Sequence, residues 1–317
     1  MPYARSMNDK LPLVCILGQT GTGKTDLALE LAKRWPVEVI NFDSRQVYQE
    51  LPIVTAQPTL EERSVCPHHL YGFLRADQKI NAGDFVRLAK EKIAQVVAKN
   101  KLPVLVGGTG LYLRALISGL AAIPRVEPKI KQKVADLFQS KGLQGLYQFL
   151  QQVDPGYAIK IHPNDRQRIT RALEVFFQTE KPFSFWHKRT PKASPYNYLK
   201  LGLKMDLNLL EPHLEKRIDK MLELGAVQEV KGLWSRYQDS SLPGFSSIGV
   251  KEILAYLKQE LSWDEMKSLW LKSTRAYAKR QLVWFKKEKD VHWQKPQSRN
   301  KLIIIMDNWL KDLRVKS

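Results

Sequence analysis

A chain of 317 residues, 44% hydrophobic and 26% charged, carries enough apolar material for a large core and more than one domain, which excludes a disordered or low-complexity protein. Its formal net charge of +19 points to a polyanionic partner. Two cysteines exclude a disulfide framework and a paired-cysteine metal site, and no apolar run is long enough to span a bilayer.

Residues 1–10 are polar, so no signal peptide is expected, and the sparse cysteines fit a cytoplasmic protein. Residues 13–17 (LVCIL) predict a buried strand, and residues 26–32 predict a helix. Between them runs Gly18-Gln19-Thr20-Gly21-Thr22-Gly23-Lys24-Thr25, a G-x-x-x-x-G-K-T sequence in the strand–turn–helix context of a P-loop. Glycines let the backbone wrap an anion, and the helix N-terminus adds partial positive charge. Lys24 supplies a point charge for phosphate oxygens, and the Thr25 hydroxyl can hold Mg²⁺. The expected ligand is therefore a pyrophosphate-bearing molecule, with Mg²⁺ as cofactor; backbone amides do not specify what the phosphates are attached to.

A second strand is predicted over 37–42, ending at Asp43-Ser44-Arg45. His68 and His69 are adjacent, so on a strand they face opposite ways and read as structural rather than as a zinc pair. A helix over 84–99 buries Phe85, Leu88, Ala89, Ile93, Val96 and Val97. A third strand over 102–106 runs into Gly107-Gly108-Thr109-Gly110 and a helix over 111–117. Strands alternating with helices predict an α/β protein with a doubly wound parallel sheet, whose ligand crevice lies at the carboxyl ends of the strands. The P-loop, Asp43 and Thr109 all stand at such ends.

The pattern changes near Pro124. Helical segments are predicted over 129–140, 143–153 and 165–179, followed by a linker at 190–195 and a strand over 198–203 that returns to the sheet. The expected organisation is a P-loop core made of 11–123 and 198–317 with an all-helical insertion at 124–197. The remainder is helical, over 212–224, 226–237, 250–258 and 263–286, and 302–306 is a short strand or a piece of helix. On the last long helix Trp270, Tyr277 and Trp284 recur every seven residues, as core packing or as a base-stacking face. Lys272, Arg275, Lys279 and Lys286 form its basic side. Lys and Arg outnumber Asp and Glu by 14 to 6 over residues 124–200 and by 13 to 4 over 270–317. A P-loop core with two basic segments suits an enzyme that acts on nucleic acid.

An ordinary P-loop NTPase has a strand ending in an acid that helps hold Mg²⁺. The 102–106 strand ends instead in Gly-Gly-Thr. Asp43 is the strand-end carboxylate nearest the P-loop in sequence, and its residue type fits a helix cap, a contact with the hydration shell of Mg²⁺, or a general base beside a bound pyrophosphate ester. Group transfer to an acceptor suits such a site better than hydrolysis. A small-molecule kinase would explain the P-loop but not the basic segments, and an RNA-binding NTP switch would lack its strand-end acid.

Several ordered blocks together resemble the bacterial tRNA dimethylallyltransferases. They are the G-x-T-x-x-G-K-T turn, Asp43-Ser44-Arg45-Gln46-Val47-Tyr48, Pro67-His68-His69-Leu70, and Leu105-Val106-Gly107-Gly108-Thr109-Gly110-Leu111-Tyr112. They continue with Ile161-His162-Pro163-Asn164-Asp165, Arg168, Arg171-Ala172-Leu173-Glu174-Val175, Ile248-Gly249, Thr274-Arg275 and Ala278-Lys279-Arg280-Gln281. The resemblance covers about residues 13–293. It implies transfer of a dimethylallyl group from its diphosphate to N6 of the adenine 3′-adjacent to the anticodon, with tRNA and dimethylallyl diphosphate as partners. Neither basic segment carries the apolar anchor that would favour a membrane, so no membrane association is expected, and a monomeric chain is expected. The resemblance implies Gly18 to Thr25 as the diphosphate cradle, Asp43 as general base and Thr109 beside the reacting atoms. It further implies tRNA contacts at Asp43, Ser44, Arg45, Gln46, Thr109, Lys131, Gln167, Arg168, Ile169, Thr170 and Arg171, and at Ser246, Ser247, Ile248, Gly249, Val250, Lys251, Lys279, Arg280, Gln281 and Lys286. This chain departs from the family pattern at Gln19 (usually Pro), Val54 and Gln57 (Gly and Lys), Val250 (Tyr), Val283 (Thr) and Lys286 (Arg). Lysine for arginine keeps the charge but loses the bidentate fork.

Overall fold

The computed structural model describes residues 10–190 and 194–315. Pro191, Lys192 and Ala193 of the expected linker, and all but the last residue of the polar N-terminal stretch, lie outside the described residues. The chain packs as two compact units, one formed by the residues up to Ile117 and from Pro195 onward, the other by Ser118–Ser194.

The first unit is built on a parallel six-stranded sheet in the order β3-β2-β4-β1-β5-β6. Its early elements are β1 (Leu11–Gly18), α1 (Lys24–Ala32), β2 (Val37–Asn41), α2 (Leu60–Val65), β3 (His68–His69), α3 (Ala82–Ala98), β4 (Leu102–Gly107) and α4 (Gly110–Ser118). β1 is the centre of the fold. It pairs with β4 on one side, with Val14 opposite Val104, and with β5 on the other, with Gly18 opposite Leu203.

Alternation along β1 sends its side chains to two separate cores. Leu13, Cys15 and Leu17 pack with Phe85, Ala89 and Ile93 of α3 and with Leu113 and Leu116 of α4. Val14 and Ile16 pack on the opposite face with Leu27, Ala28 and Leu31 of α1. Helices on both faces explain why β1 reads as a continuous apolar run. The Cys15 thiol is pushed up to about 12 by burial, so it is an inert part of the core.

The second unit contains α5 (Pro128–Val153), α6 (Pro155–Ala158), α7 (Arg166–Thr179) and α8 (Phe183–Lys188). α5 is interrupted at Gly142, whose φ of 65° breaks the helical run where the sequence separates 129–140 from 143–153. Val134, Leu146, Leu150, Ile169, Leu173 and Phe183 form a core of this unit's own.

The first unit then resumes with β5 (Tyr196–Leu203), α9 (Leu207–Glu223), α10 (Ala226–Tyr237), α11 (Val250–Leu257), α12 (Trp263–Phe285), β6 (Val291–Gln294) and α13 (Asn300–Val315). A third core, containing Phe245, Met266 and Trp270, fastens α10–α12 to residues 47–54. Trp270 is 2% exposed and belongs to this packing rather than to a stacking surface.

The structure departs from the sequence expectation in α9 and β6 and decides between the two readings of residues 302–306. α9 begins at Leu207, so Pro212 lies inside the helix instead of opening it. β6 is a four-residue, half-buried edge strand without an apolar run. Residues 302–306 belong to a sixteen-residue helix, α13, whose Leu302, Ile303, Met306 and Leu310 pack on the same core as α1. Among the described residues, no helix is long and apolar enough to cross a membrane.

Candidate active site

The P-loop turn is shaped by three glycines. Gly21 and Gly23 both adopt φ of 79°, a left-handed conformation that disfavours any side chain. A Cβ on Gly18 would fall 2.1 Å from the Leu203 carbonyl oxygen, so only glycine lets β1 leave the sheet here. Thr22 Oγ1 donates to Gln19 O at 2.8 Å. Lys24 opens α1, and its ammonium curls back to donate to Gln19 O at 2.7 Å and Gly18 O at 3.2 Å. Burial, helped by the nearby Arg217 guanidinium and opposed by the Asp43 carboxylate, pushes the Lys24 amine down to about 8. Gln19 is fully buried, and its Oε1 accepts the Met205 amide at 2.9 Å, so the turn is tied to the segment that leads into α9.

Asp43 follows β2 in a tightly held turn. The Asn41 side chain accepts from Asp43 N at 2.7 Å and donates to Asp43 O at 3.0 Å and to Leu70 O at 2.9 Å. Asp43 Oδ1 accepts the Arg45 amide at 2.9 Å. It caps no helix, because the next one, α2, starts at Leu60 and is capped by Thr59. Its second oxygen faces Gly108, where a Cβ would come within 3.0 Å of it. The ends of β2 and β4 are stitched together by Thr109, which donates its amide to Phe42 O at 3.3 Å and accepts the Ser44 amide at 2.9 Å.

The electrostatics identify what else faces this turn. The half-buried Arg217 guanidinium is pushed down by desolvation, which the Asp43 charge chiefly opposes, with smaller effects from Glu62 and Asp26. The phenols of Tyr71 and Tyr277 are held neutral by burial and, next, by the Asp43 charge. The Tyr277 hydroxyl lies against Thr109 and Gln281. Two cations therefore stand near one carboxylate in a half-buried cleft at the carboxyl ends of β1, β2 and β4, where an open α/β sheet binds its ligands.

The cleft thus unites Gly18–Thr25 with Asp43, Ser44 and Thr109. Arg45 reaches from it to Ser246, donating to Ser246 Oγ at 2.6 Å. Gln46 spends its amide on Ala56 O and Thr55 O, which fixes a loop. Ser246, Ile248, Lys251, Lys272 and Arg280 line a surface cavity of about 450 Å³. Lys279 is exposed on α12 and Lys286 just past its end, and Gly249 precedes α11 with φ of 93° against Trp270. In the helical unit Lys131, Gln167 and Arg168 are exposed. There Arg168 pairs with Asp165 at 3.4 Å, Arg171 pairs with Glu174 at 3.2 Å, and Thr170 Oγ1 donates to Arg166 O at 2.8 Å.

Four of the non-glycine residues expected to touch tRNA have buried side chains. Ile169, Ser247 and Val250 are 0% exposed and Gln281 is 4% exposed. Ile169 and Val250 face the cores of their own units, so apolar packing has claimed them. Sequence does not single out Arg217, and it marks Tyr277 only as one of three heptad-spaced aromatics. Their signal is positional: Arg217 lies three residues after buried Leu214 and beside buried Ile218, and Tyr277 stands four residues before Gln281 on one face of α12.

The donor set suits magnesium held mainly by its ligand. Mg²⁺ commonly takes one or two protein oxygens and completes its octahedron with phosphate and water. Thr25, in the first turn of α1, offers one such oxygen. Among the described residues no cluster of three or more His, Cys, Asp or Glu would trap a metal without a ligand.

Comparison with known proteins agrees with this geometry. The family model described as IPP transferase matches residues 46–288. A tRNA dimethylallyltransferase of Maridesulfovibrio salexigens is 53% identical over 96% of this chain and 100% of its own length. One from Oleidesulfovibrio alaskensis is 48% identical over 89% of this chain and 93% of its own. Among solved structures, a eukaryotic dimethylallyltransferase acting on tRNA superposes with a TM-score of 0.84 at 30% identity, covering 95% of this chain and 80% of that one. The tRNA isopentenylpyrophosphate transferase of Bacillus halodurans gives 0.71 at 33% identity, covering 96% and 98%. With the family model matched over three quarters of the chain and relatives this similar along nearly its whole length, the chain belongs to the IPP transferase family.

Proposed function

We propose that this chain transfers a dimethylallyl group from dimethylallyl diphosphate to N6 of the adenine 3′-adjacent to the anticodon of tRNA, releasing diphosphate. The observation that supports the proposal is that the Asp43 charge acts on both Lys24 and Arg217, so the carboxylate and the two cations are neighbours. The cations and the P-loop amides take up charge as the C–O bond to diphosphate breaks, where preorganised donors are most effective. Asp43 accepts the N6 proton as nitrogen attacks the allylic carbon. Magnesium held at Thr25 and the diphosphate would neutralise further charge on the leaving group. Thr109 and Tyr277 line the carboxylate's side of the cleft and orient it rather than exchange protons.

The acceptor must be an unstacked base, which a tRNA loop provides. Lys131, Arg168 and Arg171 in the helical unit, and Lys251, Lys279, Arg280 and Lys286 in the core unit, supply positive charge for the phosphates of the anticodon stem-loop. A tRNA substrate supports a cytoplasmic location. A kinase is disfavoured by the family match and by the Gly-Gly-Thr end of β4, where a magnesium-binding acid would stand.

The test is incubation with radiolabelled dimethylallyl diphosphate or with labelled ATP, with and without tRNA lacking the modification. Allylic label entering tRNA is the expected result. Phosphorylation of a small acceptor from ATP, with no allylic transfer, would overturn the proposal.

A further inference from the structure

The side chain of Gln281 reaches from α12 into the floor of the cleft, and both ends of its amide are used there. Oε1 accepts the Thr20 amide at 2.8 Å, across 261 residues of sequence. Nε2 donates to Gly108 O at 3.2 Å. The neighbours are cut to fit it: a Cβ on Gly108 would lie 1.9 Å from Nε2. One turn earlier on the same face, the Tyr277 hydroxyl lies against both Gln281 and Thr109.

From this geometry we propose that Gln281 is a positioning residue for prenyl transfer: it sets the separation between the diphosphate cradle and the turn that carries Asp43 and Thr109. The proposal rests on the function given above and assigns Gln281 a role different from the tRNA contact that family resemblance implies.

Two physical points carry it. The Thr20 N–H is spent on Gln281, so that amide anchors the P-loop instead of binding phosphate. The cradle is left to the donors that follow it, and its place in the cleft is set from α12. The other anchor, Gly108 O, immediately precedes Thr109, whose hydroxyl holds Ser44 and so the Asp43 turn. One planar amide therefore links the group that receives the leaving diphosphate to the group that takes the proton from the attacking nitrogen, on either side of the reacting carbon. A displacement of about 1 Å in such a constellation can cost on the order of a hundredfold in rate.

The residue type follows from the bonding. Leucine has a similar shape but neither bond. Asparagine is one methylene short. Glutamate keeps the acceptor for Thr20, but when ionised it turns an oxygen toward Gly108 O, in a cleft whose ionisable groups include Asp43, Lys24, Arg45, Tyr71, Arg217 and Tyr277. A protonated glutamic acid can donate to that carbonyl again.

The experiment compares wild-type chain with Gln281→Leu and Gln281→Glu. It measures single-turnover transfer at saturating dimethylallyl diphosphate and tRNA, the tRNA Kd, and the pH profile from 6 to 9. The expected results are a fall in the Gln281→Leu transfer rate of about 30-fold or more with a tRNA Kd within about twofold of wild type, as a misplaced cradle predicts. Gln281→Glu should be slow at pH 8 and regain rate as the pH falls toward 6, while wild type gains nothing. A Gln281→Leu chain that binds tRNA tenfold more weakly but transfers at the normal saturated rate overturns the proposal in favour of an RNA contact. So does a Gln281→Glu profile parallel to wild type, and this comparison decides alone if the leucine variant does not fold. Failure of the wild-type chain itself to move label into tRNA would instead sink the prenyl-transfer function.

Discussion

Thr109 Oγ1 accepts the Ser44 amide at 2.9 Å, so the carboxyl ends of β4 and β2 form one structure around Asp43. Thr109→Val keeps the shape and removes the acceptor, leaving a half-buried N–H unpaired at a cost of about 1–3 kcal/mol. Transfer should slow markedly while Thr109→Ser stays near wild type. Equal rates for the valine and serine variants in a single-turnover assay would show that the hydroxyl does not hold the turn.

Asp43→Asn preserves the acceptor for the Arg45 amide but cannot take a proton. Transfer should fall by about 10²–10⁴-fold, the usual worth of a general base. Dimethylallyl diphosphate should bind as tightly as before or more tightly, since a negative charge near the cradle is gone. Calorimetry beside the transfer assay separates the two effects, and an asparagine variant with normal turnover would remove Asp43 from the chemistry.

Lys24 sets a pH limit on diphosphate binding. Its amine, lowered to about 8 by burial, is charged below that pH and neutral above it in the free chain. A bound diphosphate requires the charged form, so above pH 8 binding must take up a proton, and affinity should drop by about tenfold per pH unit. Calorimetric titrations between pH 7 and 9.5 test this. Lys24→Met should bind weakly throughout, with a flat profile.

Arg168 is exposed at the start of α7, with Asp165 as its ion-pair partner. Arg168→Ala should weaken tRNA binding and lower the slope of log K against log salt by about 0.7–1, the signature of one lost phosphate contact. The tRNA-independent binding of dimethylallyl diphosphate should not change. A reduced affinity with an unaltered salt slope would assign Arg168 something other than a phosphate.

Gly110 tests how closely α12 is fitted to the β4 end. A Cβ there would lie 1.9 Å from Trp284 Cδ1. Gly110→Ala should therefore destabilise the fold by about 1–3 kcal/mol through overpacking, read from urea denaturation midpoints. An unchanged midpoint would mean that Trp284 moves aside freely.

Local pattern made much of this legible. The alternation of Leu13, Cys15 and Leu17 against Val14 and Ile16 hides inside a continuous apolar run, but the run itself marks a doubly covered strand. Gly18, Gly21 and Gly23 mark the turn between β1 and α1 because the required backbone conformations restrict the residues. What escaped was set by tertiary context. β6 has only Val291 to Gln294 with which to signal a strand. The apolar string at 302–306 hides the helical period that Leu302, Met306 and Leu310 reveal once α1 is beneath them. Pro212 is tolerated within α9, where sequence preference puts it at the first helical position. Arg217 and the buried amide of Gln281 owe their importance to partners far away in the chain, and spacing along one helix cannot report those partners.

The order of strands has a consequence for synthesis. β1 leaves the ribosome first yet lies between β4 and β5, and β5 follows the whole of the second unit. A nascent chain that ends before Tyr196 carries a bare central edge with apolar faces on both sides, the arrangement most prone to wrong pairing. The early-made half must wait for its late neighbour, so slowing translation across residues 118–194 should increase demand for chaperones.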